Sequence, residues 1–249
     1  MIGELGRVGL EQACRDAAAW PGGIRVAVNV SAIQFAQENL PDIVGHALER
    51  SGLPPERLEL EITESVFMGD AATAEDMLRR LKKLGVRLAL DDLRTGYSSL
   101  SYLSRAPYDK IKIDQSFVRG ATEPDVNNKA ILKAIVDLAR GLGMDAVAEG
   151  SEAQDELELV RSLGASHGQG LIFAPALPQA DVLARLTEGR LAYDPVGPAH
   201  FRSERMKVIR KVGVIHEDHR YQAFMRNLSK IGARIEGFPR GMEGWMAQA

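Results

Sequence analysis

Short apolar runs alternate with amphipathic segments along most of the chain. Six segments have the composition of strands: IRVAVNVS (24–31), LELEITE (58–64), RLALDD (87–92), KIKID (110–114), DAVAEG (145–150) and HGQGLIF (167–173). Helical spacing between and around them predicts helices over 5–18, 39–50, 70–84, 98–103, 127–142, 152–163 and 179–187. Strands and helices that alternate in this way predict an α/β fold with parallel strands and right-handed crossovers.

Polar side chains gather near the carboxyl ends of the predicted strands. In chain order they are Asn29, Glu61 with Glu64, Asp91 with Asp92, Lys112 with Asp114, and Glu149, while Gln169 lies near the start of the sixth strand. The active sites of barrels and open sheets built from parallel strands lie at this edge. The pattern therefore predicts a functional site there, because stability alone does not require charge at these positions.

Taken singly, these residues have simpler interpretations. Each fits a helix cap or a loop carboxylate, and Asp92 with Thr95 also fits a side chain that shapes a turn. Glu61, which alternates with apolar neighbours, also fits a side chain that points into solvent. Capping accounts less well for Asn29, Glu61, Asp91 and Glu149 together, because these four residues end four separate strands.

Carboxylates crowded at one edge of a sheet repel one another unless cations neutralise them. Oxygen ligands of this kind suit Mg²⁺ or Mn²⁺ better than zinc. Two such ions would clamp the attacking and leaving oxygens in the hydrolysis of a phosphodiester. Lys112 would then orient a nucleophilic water or stabilise negative charge on the phosphoryl group.

Composition narrows the class of protein. The 34 acidic and 31 basic residues make the chain mildly acidic, so a broad nucleic-acid surface and a DNA partner are not expected. The single cysteine, Cys14, excludes a disulfide framework and predicts a buried thiol in a reducing compartment. No segment approaches the roughly 20 apolar residues of a membrane span, and the N-terminus lacks the apolar core of a signal peptide. We expect a cytoplasmic protein.

The last part of the chain has a different character. Residues 191–201 contain two prolines and a glycine and predict a linker. Beyond position 193 there are ten basic and six acidic residues, and strand-like stretches occur at 212–215, 221–229 and 233–237. The segment 202–249 is therefore expected to be a short β-rich extension.

Six motifs of the first part resemble those of EAL domains, the cyclic di-GMP phosphodiesterases of bacteria. VNVSAIQF, LELEITES, DDLRTGYSSL, DKIKIDQSFV, VAEGSE and GQGLIF occur in that family's order and spacing over residues 1–187. We assign residues 1–190 to this domain. The resemblance implies a TIM-like (β/α) barrel that hydrolyses cyclic di-GMP to pGpG with two Mg²⁺ or Mn²⁺ ions, and it implies a homodimer.

The resemblance also implies roles for individual residues. Metal ligation is assigned to Asn29, Glu61, Asp91, Asp92 and Glu149; catalytic roles go to Lys112, Glu149, Asp114 and Glu152; substrate contact goes to Gln169 and Lys112. Glu64 resembles the glutamate that anchors the loop after the paired aspartates, a loop that shapes the metal site and the dimer contact.

The chain departs from the family pattern at several places. The name-giving Glu-Ala-Leu segment is absent, so we expect a barrel without its first two strands and without one ligating glutamate. Arg94 stands where the family has a glycine, Ser151 replaces the valine of Glu-Gly-Val-Glu, and Leu171 stands where an aromatic residue is common.

A second resemblance lies in the C-terminal segment. Asn227, Ser229 and Gly232 match the (Asp/Asn)-x-Ser-x-x-Gly motif of PilZ domains, which bind cyclic di-GMP. Four basic residues precede the motif, roughly where that family has an arginine arm: Arg205, Lys207, Arg210 and Lys211. We expect a partial PilZ-like segment with a possible second cyclic di-GMP site. The alternative is an ordinary β-hairpin with a basic face.

Three hypotheses on function follow. In the first, the chain is a metal-dependent phosphodiesterase that acts on cyclic di-GMP. In the second, it is a catalytically degenerate sensor or interaction module that binds cyclic di-GMP without cleaving it, because one lost ligand weakens a metal site while nucleotide contacts remain. In the third, it is a gene fragment with no stable product.

Overall fold

A computed structural model describes residues 2–68, 70–93, 103, 105–119, 121, 127–189, 206–216, 219–229 and 232–236. The helices are α1 Ile2–Ala18, α2 Ala32–Phe35, α3 Leu40–Ser51, α4 Ala71–Lys83, α5 Gln115–Val118, α6 Asn128–Gly141, α7 Gln154–Leu163 and α8 Gln179–Thr187. The strands are β1 Val26–Val30, β2 Leu58–Thr63, β3 Arg87–Leu93, β4 Lys110–Ile113, β5 Asp145–Ala148, β6 His167–Gly168, β7 Met206–His216, β8 His219–Ser229 and β9 Gly232–Glu236. The chain forms two compact units, Met1–Val196 and Gly197–Ala249.

The first unit is built on a six-stranded half-barrel sheet. Its strands run in the order β1-β2-β3-β4-β5-β6, and every neighbouring pair is parallel. Side chains alternate between the two faces of a strand. In β2, Leu58, Leu60 and Ile62 are fully buried in the apolar core, while Glu59 and Glu61 point to the opposite face. The predicted parallel α/β fold is confirmed.

The helices cover the apolar face of this sheet. Leu78 and Leu81 of α4 are fully buried with Leu88 and Leu90 of β3. Asp70 caps α4 by accepting a hydrogen bond from the Ala72 amide at 3.1 Å, which fixes where the helix begins. The predicted helices, apart from 98–103, agree with the structure to within a few residues at each end. None of the helices in the described part of the chain combines the length and apolar character needed to cross a membrane.

The predicted sixth strand over 167–173 is wrong beyond its first two residues. Only His167 and Gly168 pair with β5, and the chain then turns. The Ser151 carbonyl accepts a hydrogen bond from the Ile172 amide at 3.2 Å. A Cβ on Gly170 would lie 2.2 Å from the same carbonyl oxygen, so this close approach requires glycine. Beyond Gly168 the chain therefore leaves the sheet and packs against the loop that follows β5.

Two short helices were not predicted, and one predicted helix lies largely outside the described residues. In α2, Ser31 and Gln34 form a capping box, and in α5 the Asp114 side chain caps the first turn. Four-residue helices carry too little periodicity to be recognised in a sequence. Of the predicted helix over 98–103, only Leu103 is described, and it is helical.

The second unit is a three-stranded antiparallel sheet in the order β7-β8-β9. Strands β7 and β8 are longer than the stretches predicted from the sequence, and β9 is shifted by one residue from the predicted 233–237. In this sheet Lys207 lies opposite Asn227, and Ser229 lies opposite Gly232. Arg210 also lies in β7, and Lys211 is exposed. Arg205 lies outside the described residues, so the second cyclic di-GMP site stays a prediction.

Candidate metal centre

Lys112 lies at the centre of the predicted site and is surrounded by carboxylates. Its ammonium nitrogen lies 2.6 Å from Glu61 Oε2, 2.7 Å from Glu149 Oε1 and 3.1 Å from Asp91 Oδ1. Lys112 is only 3% exposed and Glu61 only 6%. Four residues that are distant in sequence, three in strands and one directly after a strand, therefore meet in one cluster around a buried lysine.

The register of the sheet explains why these residues meet. Asn29 of β1 lies opposite Glu61 of β2, and Thr63 of β2 lies opposite Asp91 of β3. Glu149 follows β5 directly, and its amide donates to the Ile113 carbonyl of β4 at 3.1 Å. Parallel pairing without large shifts brings the polar ends of β2 to β5 to the same edge.

A β-bulge places both aspartates at this edge. Leu90 pairs with Ile111 and Leu93 pairs with Ile113, so two residues of β3 lie opposite Lys112 alone. Asp92 adopts a left-handed backbone conformation with φ 56°, which aspartate tolerates better than most residues. Regular alternation would send Asp92 to the other face of the sheet. The bulge instead brings a carboxylate oxygen of Asp92 within 4.8 Å of oxygens from Asp91 and Glu149.

The charges of the cluster shift the pKa values of two groups. Burial raises the pKa of Glu149 above its usual range, Lys112 opposes that rise, and the charges of Asp91 and Glu61 add to it. For Lys112, burial alone would lower the pKa, but hydrogen bonds and charges from Glu149 and Glu61 outweigh it and hold the pKa above its ordinary value. Lys112 is thus a buried cation that neutralises only part of the negative charge around it.

The residues present fit a divalent cation. Asp91, Asp92 and Glu149 each place one oxygen within 4.8 Å of the others, and carboxylate oxygens are the ligands that Mg²⁺ and Mn²⁺ prefer. Asp91 Oδ1 is buried and lies 3.1 Å from the Lys112 ammonium, which Glu61 and Glu149 also contact. One ammonium does not balance the charge of all these carboxylates, and a bound cation would stabilise the charge that remains.

Asn29 and Glu61 differ from these three residues in their surroundings. Asn29 is exposed, although β1 places it directly opposite Glu61. Glu61 is bound to Lys112 and lies outside the group of three carboxylates that could share an ion. Their assignment as metal ligands stays a prediction.

The remaining predicted residues surround the cluster. Asp114 is buried, and its side chain accepts from the Ser116 amide at 2.8 Å at the start of α5. Gln169 is exposed, and its backbone bonds to Ala148 and Ser151 on either side. Glu152 forms an ion pair with Arg119. Sequence reasoning missed Arg119, because nothing in the sequence connects two surface charges 33 residues apart.

Two predictions concern the loop that follows β3. Glu64 begins a 3-10 turn, Glu64–Met68, that lies against β3 and α4. Residues 94–102, which include Arg94, lie outside the described residues. The role of Glu64 as a loop anchor therefore stays a prediction. Leu171 is described and is 65% exposed.

Comparisons with known proteins agree on one family. The family model described as EAL domain matches residues 1–176. The cyclic di-GMP phosphodiesterase NbdA of Pseudomonas aeruginosa is 40% identical over 199 residues, which cover 78% of this chain and 24% of that protein.

Two solved structures extend the comparison to the fold. The PaMucR phosphodiesterase of Pseudomonas aeruginosa in complex with c-di-GMP has a TM-score of 0.69 and 40% identity, covering 73% of this chain and 75% of that chain. BlrP1 of Klebsiella pneumoniae, in a manganese and cyclic di-GMP complex, has a TM-score of 0.64 and 28% identity, covering 70% of this chain and 44% of that chain. Among the first curated relatives, the matched region spans 22% to 27% of their length.

Proposed function

The chain belongs to the EAL domain family, and from that premise we propose that it is a metal-dependent phosphodiesterase that hydrolyses cyclic di-GMP to pGpG. Its relatives include cyclic di-GMP phosphodiesterases, which supports a role in cyclic di-GMP signalling. Hydrolysis of a phosphodiester requires stabilisation of charge on the phosphoryl group and an activated water.

One observation carries the proposal. Three carboxylates, those of Asp91, Asp92 and Glu149, each place an oxygen within 4.8 Å of the others beside the buried Lys112. A purely structural core would not concentrate charge in this way, because buried carboxylates that repel one another cost stability. The arrangement suits a site that binds divalent cations together with a negatively charged phosphodiester.

Within such a site the residues would have different roles. Asp91, Asp92 and Glu149 would hold one or two Mg²⁺ or Mn²⁺ ions, which supply Lewis acidity and lower the pKa of bound water when present. Lys112 is held by Glu61 at 2.6 Å, and its positive charge would stabilise negative charge on a phosphoryl oxygen. Asp114, two residues after Lys112, caps the start of α5 and so fixes where the chain turns after β4. Gln169 would contact the substrate from the exposed rim of the site.

The proposal is tested by turnover of the full chain. Purified protein is incubated with cyclic di-GMP and Mn²⁺, Mg²⁺ or EDTA, and pGpG is measured by liquid chromatography. We expect pGpG with either metal and none with EDTA, and we expect Glu149→Gln to abolish it. The exposed Arg79→Gln variant, in α4, is the matched control and should behave as the unsubstituted chain. Absence of pGpG with both metals would overturn the proposal.

The sensor hypothesis predicts a different result in the same samples. Calorimetry with cyclic di-GMP, with and without Mg²⁺, measures binding independently of cleavage. Binding in the absence of any pGpG formation would assign the chain to the sensor class. Binding together with turnover would exclude that class.

A further inference from the structure

Arg119 makes an ion pair that joins two distant segments of the chain, as the pairs Arg50–Glu11 and Arg105–Glu75 also do. Arg7 with Glu11 and Arg79 with Glu75 are each one turn apart in a single helix. Arg119 instead reaches Glu152 across 33 residues of sequence. The pair therefore joins two separate segments, one after β4 and one after β5, and both segments border the candidate metal centre.

The backbone that carries Arg119 is firmly held. Its amide donates to the Gln115 carbonyl at 2.8 Å, which closes the single turn of α5. The Asn128 side chain, at the start of α6, donates to the carbonyls of Ser116 at 2.9 Å and Arg119 at 3.3 Å. Because these bonds hold its backbone, the side chain of Arg119 extends toward Glu152 from a defined position.

The segment after β5 lies along the same helix. The Glu149 amide donates to the Ile113 carbonyl at 3.1 Å, one residue before the Asp114 cap. Gly150 has a left-handed conformation with φ 68°, and a Cβ there would lie 2.4 Å from the Cβ of Gln115. Together with the Arg119 contact to Glu152, the two segments meet at three successive points.

The side chain of Glu152 has few other restraints in the described structure. Its backbone amide donates to the buried Glu156 carboxylate at 3.1 Å. Its side chain is 46% exposed, and that of Arg119 is 51% exposed. An ion pair this exposed contributes little to stability. We therefore expect the ion pair to affect the orientation of Glu152 and not the stability of the whole protein.

We propose that Arg119 is a positioning residue: it orients Glu152 and holds the segment from Glu149 to Glu152 against α5. Glu149 then stays within reach of Asp91 and Asp92, and the centre is preorganised for its cation. The inference rests on the proposed function, because it assigns Arg119 a role in the same centre.

The test compares Arg119→Gln with Arg79→Gln in the full chain. Arg79 is a matched control, since it is also about half exposed and pairs with Glu75 at 2.9 Å, in α4. Mn²⁺ affinity is measured by calorimetry without nucleotide, and kcat and KM are measured with cyclic di-GMP. For Arg119→Gln we expect a loss of about 10-fold in Mn²⁺ affinity, the low end of the range for outer-shell partners, and a lower kcat. KM and the melting temperature should remain near those of the unsubstituted chain, and Arg79→Gln should change none of these quantities.

Two further variants show whether the pair acts as a unit. Arg119→Lys should recover part of the affinity, because lysine supplies the charge without the planar fork. Glu152→Gln should reproduce the loss seen with Arg119→Gln, and the double variant should lose no more than either single one. Fully additive losses would overturn the proposal.

Other outcomes separate this inference from the proposed function. Unchanged Mn²⁺ affinity and kcat in Arg119→Gln, with the unsubstituted chain active, would overturn the inference alone. A rise in KM alone would make Arg119 a substrate contact and would also overturn it. If the unsubstituted chain neither binds Mn²⁺ nor cleaves cyclic di-GMP, the proposed function fails and the inference fails with it.

Discussion

At the scale of single residues, Lys112 is the point on which the candidate site depends. It is a buried cation among three carboxylates, so it stabilises their approach in the absence of metal. Removing one partner of a buried ion pair leaves uncompensated charge, which is far more costly than losing an exposed pair. Lys112 should therefore matter for stability as well as for the proposed chemistry.

Replacing Lys112 with methionine tests that dual role. In EDTA, Lys112→Met should lower the free energy of unfolding by about 3 kcal/mol, because the carboxylates lose their cation. In Mn²⁺ the loss should be smaller, because a bound ion opposes the same repulsion. Urea denaturation in both conditions measures the difference, with the exposed Lys129→Met as control. An equal loss in EDTA and in Mn²⁺ would contradict a cation site beside Lys112.

Cys14 gives a prediction that depends on pH. Burial raises the pKa of its thiol from 9.0 to about 11. Ellman's reagent at pH 8 should therefore react slowly with native protein and rapidly after denaturation. The raised pKa adds stability below pH 9, and that stability is lost as the pH rises from 9 toward about 11, where the unfolded thiol ionises first. The fall in unfolding free energy over this range should be smaller in Cys14→Ala, and identical slopes would contradict a buried thiol.

At the scale of elements, the two glutamates of β2 bind different partners. Glu61, near the carboxyl end, binds the central Lys112. Glu59, near the amino end, is buried and binds Lys110 at 2.6 Å, and its second oxygen lies 3.7 Å from Arg87. In folds of this type the amino ends of strands serve stability and the carboxyl ends serve function.

That division predicts that substitutions of Glu59 and Glu61 affect different properties, stability in one case and activity in the other. Glu59→Gln should reduce the free energy of unfolding, by about 3 kcal/mol, because Lys110 and Arg87 lose a buried countercharge. It should leave Mn²⁺ affinity unchanged. Glu61→Gln should reduce turnover of cyclic di-GMP, because Lys112 loses the carboxylate that holds it. Urea denaturation and turnover assays of both variants test this assignment of roles. Weaker Mn²⁺ binding in Glu59→Gln would contradict it.

The sequence predicts most elements because their periodicity is strong. Charged residues end β2 to β5, and the apolar alternation of β2 fixes which side chains reach the common edge. The extent of β6 is not predictable in the same way, because Gly170 turns against Ser151 through contacts between distant segments. The bulge at Asp92 and the ion pair of Arg119 likewise depend on register and on tertiary packing. A one-dimensional pattern does not contain either of them.

At the scale of the whole molecule, the chain combines a parallel half-barrel unit with a separate antiparallel unit. The family resemblance predicts that two copies associate through the loop after β3. Sedimentation velocity of the full chain measures this, and a species of twice the chain mass is expected. A monomer at every concentration tested would contradict the predicted homodimer.

The central claim is that the gathered strand ends form a divalent-cation site. Titration of Mn²⁺ into the full chain, followed by electron paramagnetic resonance, tests it most directly because free and bound ions give different signals. We expect saturable binding in the unsubstituted chain and loss of that binding in the double variant Asp91→Asn with Asp92→Asn. Equal binding by both proteins, or no binding by the unsubstituted chain, would contradict the account.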